Sequence, residues 1–344
     1  MTITLLDRYK GAMVGVHVGD AVGAPYEKAF SAKQIARDIE ARGGLKFFDY
    51  PDPWAKPKDG DPEMFLAGRP TDDSDQTADL AWSLIECNGL NPKHLREALR
   101  DSVVRGKSRL WTGVAKGAGG TTRGALSDDP AKVAETMQNN IGTNGSLMRS
   151  VPIALWLRGK FGVGTTDDQQ LARKLMREMS IVTHNHEHSV SCCIMYAACL
   201  QSIFYSEDYL KDYSQRHRMY SLHEEVPGPL YGLFSEKIQD RLNNMLRDHL
   251  LFPVDPGNWP ARGTAEFSLY AAMWCFLHST SFADGIEKAV RIGGDTDTYA
   301  AIAGGLLGAY YGYDAIPLEW RQTILGHDVM VEYADKLYEM NQQL

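Results

Sequence analysis

Gly11, Gly15, Gly19 and Gly23 recur every fourth residue within a segment that otherwise reads as a helix from Leu5 to Gly23. Leu5, Tyr9, Ala12, Met13 and Val16 keep helical spacing across it. Each interior glycine costs a helix about 0.5–1 kcal/mol relative to alanine. A stripe of them therefore needs a compensating contact, and a second helix backbone lying very close provides one. The natural partner is the small-residue run Ala300, Ala301, Ala303, Gly304, Gly305 and Gly308, with Gly15 and Gly305 as expected facing positions. No apolar run reaches membrane-spanning length, so the stripe predicts a tight helix pair in a globular chain, not a membrane dimer.

Each helix of this pair has acidic residues at one of its ends. Asp20 and Glu27 follow the stripe, and Pro25 ends the helix so that Glu27 falls on a loop. Ahead of the small-residue helix, Gly293 and Gly294 precede Asp295, Asp297 and Thr298. Carboxylates and a hydroxyl this close supply hard oxygen ligands, suited to Mg²⁺, Mn²⁺ or Ca²⁺. A helix N-terminus also favours Asp and Thr as caps, which accounts for one acidic residue better than for two. A second cluster tips the balance. Thr71, Asp72 and Asp73 open another helix, expected to turn Ala78, Ala81, Trp82 and Ile85 inward. Adjacent carboxylates repel unless solvated or neutralised by a cation. One joint site built from Thr71, Asp72, Asp73, Asp295, Asp297 and Thr298 uses all of them.

Two glycine-rich loops could bring backbone N–H groups close to phosphates. One contains Gly117, Gly119, Gly120, Thr121 and Thr122; the other runs Asn144-Gly145-Ser146-Leu147-Met148-Arg149. Neither is a P-loop, since no Gly-Lys-Ser/Thr follows. Thr183-His184-Asn185-His186-Glu187-His188 invites comparison with a zinc site. If helical, only His184 and His188 share a face, with no cysteine or further histidine near, which argues for a ligand contact through His184 instead.

Helical text dominates elsewhere: Val151 to Leu157, a run to about Tyr205, Leu233 to Leu250, Ser268 to Leu277 and Phe282 to Arg291. No segment reads convincingly as a strand, so the expected class is all-α. At 344 residues without a composition break, one domain over 1–344 is the default. Residues 43–70, rich in Gly, Pro, Asp and Lys with interspersed aromatics, form a long lid-like loop. The net charge of −8 argues against nucleic acid or an anionic membrane held by bulk electrostatics. Five cysteines, none in a Cys-x-x-Cys pair, read as reduced thiols. With no signal-peptide pattern, the expected location is the cytoplasm.

Taken in order, Gly19-Asp20-Ala21-Val22-Gly23-Ala24-Pro25-Tyr26-Glu27, Thr71-Asp72-Asp73-Ser74, Asn144 to Arg149, Thr183-His184 and Gly293-Gly294-Asp295-Thr296-Asp297-Thr298 resemble the ADP-ribosylglycohydrolase family, which includes the dinitrogenase reductase-activating glycohydrolase. The likeness spans Leu5 to about Tyr313. It implies a compact all-α domain with two divalent metals, Mg²⁺ or Mn²⁺, at the base of a cleft, held by the six residues named above. It also implies hydrolysis of the glycosidic bond joining the distal ribose of ADP-ribose to a protein or small-molecule acceptor. By the family pattern Glu27 matches a glutamate beside the metals that serves catalysis or substrate admission, and Asp20 is mainly structural. As the one motif carboxylate outside the two ligand runs, Glu27 is the candidate general acid/base, with Asp73 and Asp297 as the other catalytic carboxylates. Gly117, Gly119, Gly120, Thr121, Asn144, Gly145 and Ser146 match loops holding the diphosphate and riboses, and His184 lies near the ligand. Two departures bear on substrate choice: Thr264 stands where many relatives have tyrosine, and the 205–262 insertion is longer than usual. An ADP-ribose-binding or toxin-blocking immunity protein is the alternative from another class, though a pure binder need not keep the ligand set. A metal-dependent phosphoesterase fits the ligands but not the family pattern.

Overall fold

A computed structural model describes residues 3–27, 31–55, 63–111, 115–158, 166–205 and 263–342. The expected Leu233–Leu250 helix and nearly all of the 205–262 insertion lie outside the described residues, as do 56–62 of the lid-like loop.

Helix α1 spans Leu5–Gly23. Its start is fixed by a capping box in which the Thr4 hydroxyl accepts the Asp7 N–H and the Asp7 carboxylate accepts the Thr4 N–H, both at 3.1 Å. From Arg8 to Gly23 it is buried except for Lys10, which is the burial of a central helix. Its partner, α12, spans Thr296–Tyr311 and is buried from Thr296 to Ala309. The two run antiparallel in the most extensive helix contact among the described elements. The pairing places Gly11 on Gly308, Gly15 on Gly304, Gly19 on Ala300 and Gly23 on Thr296. A Cβ at Gly11, Gly15 or Gly19 would lie 2.1–2.2 Å from the facing carbonyl oxygen. Gly305 does not face Gly15 as expected; it turns one residue further round, toward the Tyr196 hydroxyl and Val151. At each end the pair is closed by polar groups. Arg8 donates to the carbonyls of Ala309 and Tyr310 at the C-terminus of α12, and the Thr296 hydroxyl donates to the Gly23 carbonyl at 2.8 Å.

Around this pair lie α9 (Glu187–Tyr205), α10 (Ala265–Leu277), α11 (Phe282–Arg291) and α14 (His327–Gln342), with α3 (Asp72–Glu86), α4 (Pro92–Val103) and α7 (Val151–Trp156) in a further group. In α3 the inward residues are Ala78, Leu80, Ala81 and Leu84, whereas Trp82 and Ile85 are only half-buried. Trp82 instead stacks on His94 and under Arg109, whose guanidinium pairs with the buried Asp79 at 3.0 Å. The sequence shows no strand, yet Tyr50–Pro51 and Met64–Phe65 form a two-stranded antiparallel ribbon. It is held by aromatic contacts of Tyr50 and Trp54 with Phe65, and short ribbons of this kind carry little periodicity. All five cysteines are free; Cys87 is half-buried and the other four buried. No helix of the described residues is long and apolar enough to cross a membrane.

Candidate active site

The antiparallel register brings the C-terminus of α1 to the N-terminus of α12, which sets Asp20 and Glu27 beside Asp297. Beyond Gly23 a single 3₁₀ turn, Ala24–Tyr26, carries the chain to Glu27. Tyr26 anchors that turn by donating to Asp38 at 2.7 Å. Before α12, Gly293 and Gly294 both adopt positive φ (77° and 85°), a bend that suits glycine. Helix α3 arrives at the same point because Asp20 holds its first turn. The Asp20 carboxylate accepts the Thr71 hydroxyl at 2.6 Å, the Ser74 hydroxyl at 2.5 Å and the N–H groups of both residues. Two helix N-termini, with their partial positive charge, thus converge on one acidic cluster.

Within it, oxygens of Asp20, Asp73 and Asp297 lie within 4.8 Å of one another, as do oxygens of Glu27, Asp295 and Asp297. Asp297 belongs to both groups. Burial pushes the carboxyls of Asp72, Asp73 and Asp297 well above the usual carboxylate range, and neighbouring carboxylates push them further: Asp20 and Glu27 for Asp72, Asp20 and Asp72 for Asp73, Glu27 and Asp73 for Asp297. Asp73 Oδ1 is buried and takes no hydrogen bond. An orphaned carboxylate oxygen among repelling carboxylates is the donor set that a hard divalent cation satisfies. The residues fit a metal.

The acidic cluster opens on a cleft of about 300 Å³ lined by Glu27, Asp72, Asp73, Asp295, Asp297 and Thr298 together with Gly117, Gly119, Gly120, Thr121, Asn144, Gly145 and His184. A Cβ at Gly119 or Gly120 would meet nothing within 4 Å, so the backbone there is open to a ligand. Gly117, at φ 100°, has no such room: a Cβ would lie 2.6 Å from Asp72 Oδ1. Asn144 spends its amide donors on Asp295 Oδ2 (2.8 Å) and Ser268 (2.9 Å), tying the loop to the acidic cluster.

Two expected site residues do not line the cleft. Ser146 is fully buried, where it accepts the Ser180 hydroxyl at 2.8 Å and contacts Cys193 Sγ, so it braces the loop from behind. Thr71 is also fully buried and its hydroxyl proton is committed to Asp20. The histidine run is not a helical pair: α9 begins only at Glu187, the His186 and His188 rings meet edge to face, and His188 pairs with Glu266 at 3.1 Å. Neither acidic group contains a histidine. Thr122, Met148 and Gly294, which fall inside motifs already named, also line the cleft, and so do Thr143 and Gly263; for these last two, proximity to Asn144 and Thr264 in the chain is the only signal the sequence offered.

The ADP-ribosylglycohydrolase family model matches residues 1–344. Among curated proteins, the ADP-ribosylarginine hydrolase Tri1 of Serratia proteamaculans is 26% identical, covering 97% of this chain and 80% of its own length. The ADP-ribosylhydrolase ARH3 of Danio rerio is 24% identical over 98% of this chain and 92% of its own. The ADP-ribosyl-[dinitrogen reductase] glycohydrolase of Rhodospirillum rubrum is 26% identical over 95% and 92%. A solved ADP-ribosylglycohydrolase-related protein complex superimposes with a TM-score of 0.67 at 26% identity, covering 98% of both chains. An acidic cluster built on a glycine-packed helix pair and a match over the full chain lead to one conclusion: the chain belongs to the ADP-ribosylglycohydrolase family.

Proposed function

We propose that this protein is a divalent-metal-dependent hydrolase that releases ADP-ribose from an ADP-ribosylated acceptor by cleaving the glycosidic bond at the distal ribose. The observation that carries the reading is the pair of carboxylate groups sharing Asp297 beside a cleft with an open glycine backbone. Sharing of Asp297 favours two adjacent cations, Mg²⁺ or Mn²⁺, with Asp73, Asp295, Asp297 and Thr298 as the nearest ligands, Asp72 beside them and Thr71 behind. Such cations supply charge neutralisation and Lewis acidity toward ribose hydroxyls and water.

The chain's own residues do the rest. The open backbone at Gly119 and Gly120, with Thr121 and Gly145, receives the diphosphate and riboses. Asp73 and Asp297 place negative charge where the anomeric carbon gains oxocarbenium character. Glu27 sits at the end of an anchored turn next to Asp297, which suits it to take a proton from the attacking water or give one to the leaving acceptor. Asp20, its oxygens filled by four donor groups, holds α3 in place.

Glu27→Gln keeps the fold and metal content and lowers turnover by about 10²-fold or more; near-normal turnover would reduce Glu27 to a structural role. The reading as a whole is tested with a panel of ADP-ribosylated acceptors, incubated with metal-supplemented protein and read by mass spectrometry. Free ADP-ribose is the expected product, AMP would establish phosphoester cleavage instead, and binding without any product would leave a binding protein.

A further inference from the structure

Arg149 is fully buried, and among the described residues its hydrogen-bond partners are an amide oxygen, a backbone carbonyl and a hydroxyl, not a carboxylate. A buried cation without a direct counter-ion is costly, so what its donors hold matters. Nη1 donates to the Gln76 side-chain carbonyl at 2.7 Å and to the Gly145 carbonyl at 3.2 Å, and Nη2 donates to the Thr183 hydroxyl at 2.7 Å. A guanidinium only donates, so each contact fixes the direction of the next. Gln76, with its oxygen occupied, turns its NH₂ to Asp72 Oδ2 at 2.5 Å. Thr183, with one lone pair occupied by Arg149, has a single proton to give, and His184 Nδ1 lies 2.7 Å away.

We propose that Arg149 is a positioning residue that acts through Thr183 to fix the tautomer of His184, so that Nδ1 accepts and Nε2 carries the proton at the cleft. The reverse tautomer would leave the Thr183 hydroxyl proton buried without an acceptor, and an unsatisfied buried donor is costly. Burial and the charge of Arg149 hold the His184 pKa down, to about 3, so the ring stays neutral at physiological pH. His184 is then a permanent hydrogen-bond donor rather than a general base or acid. Its ring also packs against Gly145, where a Cβ would come within 2.7 Å of Cε1, so the same guanidinium sets both ring and loop. The group that it recognises is an acceptor oxygen; that this oxygen belongs to ADP-ribose rests on the proposed function.

The test is ¹⁵N–¹H NMR of the histidine side chains in the full chain, with the His184 signal assigned by its loss in His184→Gln. The expected wild-type pattern is an unprotonated Nδ1 and a protonated Nε2. Thr183→Val keeps the shape and removes the hydroxyl; it should populate both tautomers and weaken binding of free ADP-ribose by a few-fold to about tenfold. Thr183→Ser should restore both. A protonated Nδ1 in the wild type, or a Thr183→Val spectrum identical to it, overturns the proposal. An intact tautomer in protein that fails to bind ADP-ribose upholds the relay and counts against the proposed function instead.

Discussion

Gly308→Ala lowers the melting temperature by about 5–10 °C or keeps folded protein from accumulating, although it adds one methyl group to a good helix position. The added carbon would stand 1.8 Å from the Gly11 carbonyl oxygen and 2.3 Å from its carbon. Both atoms belong to backbone in the middle of a buried helix and cannot rotate away. The helices must part by more than an ångström, which separates the surrounding buried contacts and shifts the register that sets Asp20 and Glu27 against Asp297. Overpacking of ordinary core sites costs about 1–3 kcal/mol; a backbone clash on this scale belongs in the tail above about 4 kcal/mol. Gly120→Ala provides the contrast. Nothing lies within 4 Å of a Cβ there, and replacing glycine at a helical position gains up to about 1 kcal/mol. Thermal melts of the two variants should therefore move in opposite directions. An unchanged melting temperature in Gly308→Ala would mean that α1 and α12 do not pack backbone to backbone.

The glycine stripe was legible because it breaks the usual propensity rule, and the helix it marks keeps its expected bounds, Leu5–Gly23. Phe282–Arg291 is likewise recovered to the residue. The facing register was not legible. Gly304 and Gly305 differ by one residue, about 100° around the helix, and composition alone cannot say which of two adjacent glycines meets Gly15. Residue types and spacing singled out both acidic clusters. What they could not reveal was which oxygens the protein itself already claims: Asp20 is filled by Thr71 and Ser74, Ser146 by Ser180, and Asn144 has given its donors to Asp295 and Ser268. Those commitments arise between segments far apart in the chain: they make braces of Asp20 and Ser146, and they tie Asn144, which lines the cleft, to the acidic cluster.

Chelation of divalent metal abolishes hydrolysis and lowers the melting temperature, and the size of that loss depends on pH. Without cations, Asp72, Asp73 and Asp297 have folded pKa values well above the ordinary carboxylate value near 4. A carboxyl shifted in this direction stabilises the fold below its unfolded pKa, and that contribution is lost as pH rises through the folded pKa. Metal-free protein should thus lose stability as pH climbs above about 4. Protons and cations compete for the same oxygens, so the stabilisation by Mg²⁺ or Mn²⁺ should grow over the same range. Saturation at 100 times the dissociation constant corresponds to about 2.7 kcal/mol, a shift of several degrees. Asp75 lies beside the cluster with its pKa raised to about 7 by burial, but it is in neither acidic group, and Asp75→Asn should leave the metal increment intact. Asp73→Asn and Asp297→Asn should each weaken metal binding and cut turnover by more than about 10²-fold. Their effects in the double variant should fall short of additivity by about 0.5–3 kcal/mol, because both act on one centre. Calorimetric titration of the wild type, the single variants and the double, together with melts at pH 5.5 and 8, checks each point. A metal increment that is flat across pH, full binding in either single variant, or activity that survives exhaustive chelation would each refute a metal centre shared by the starts of α3 and α12.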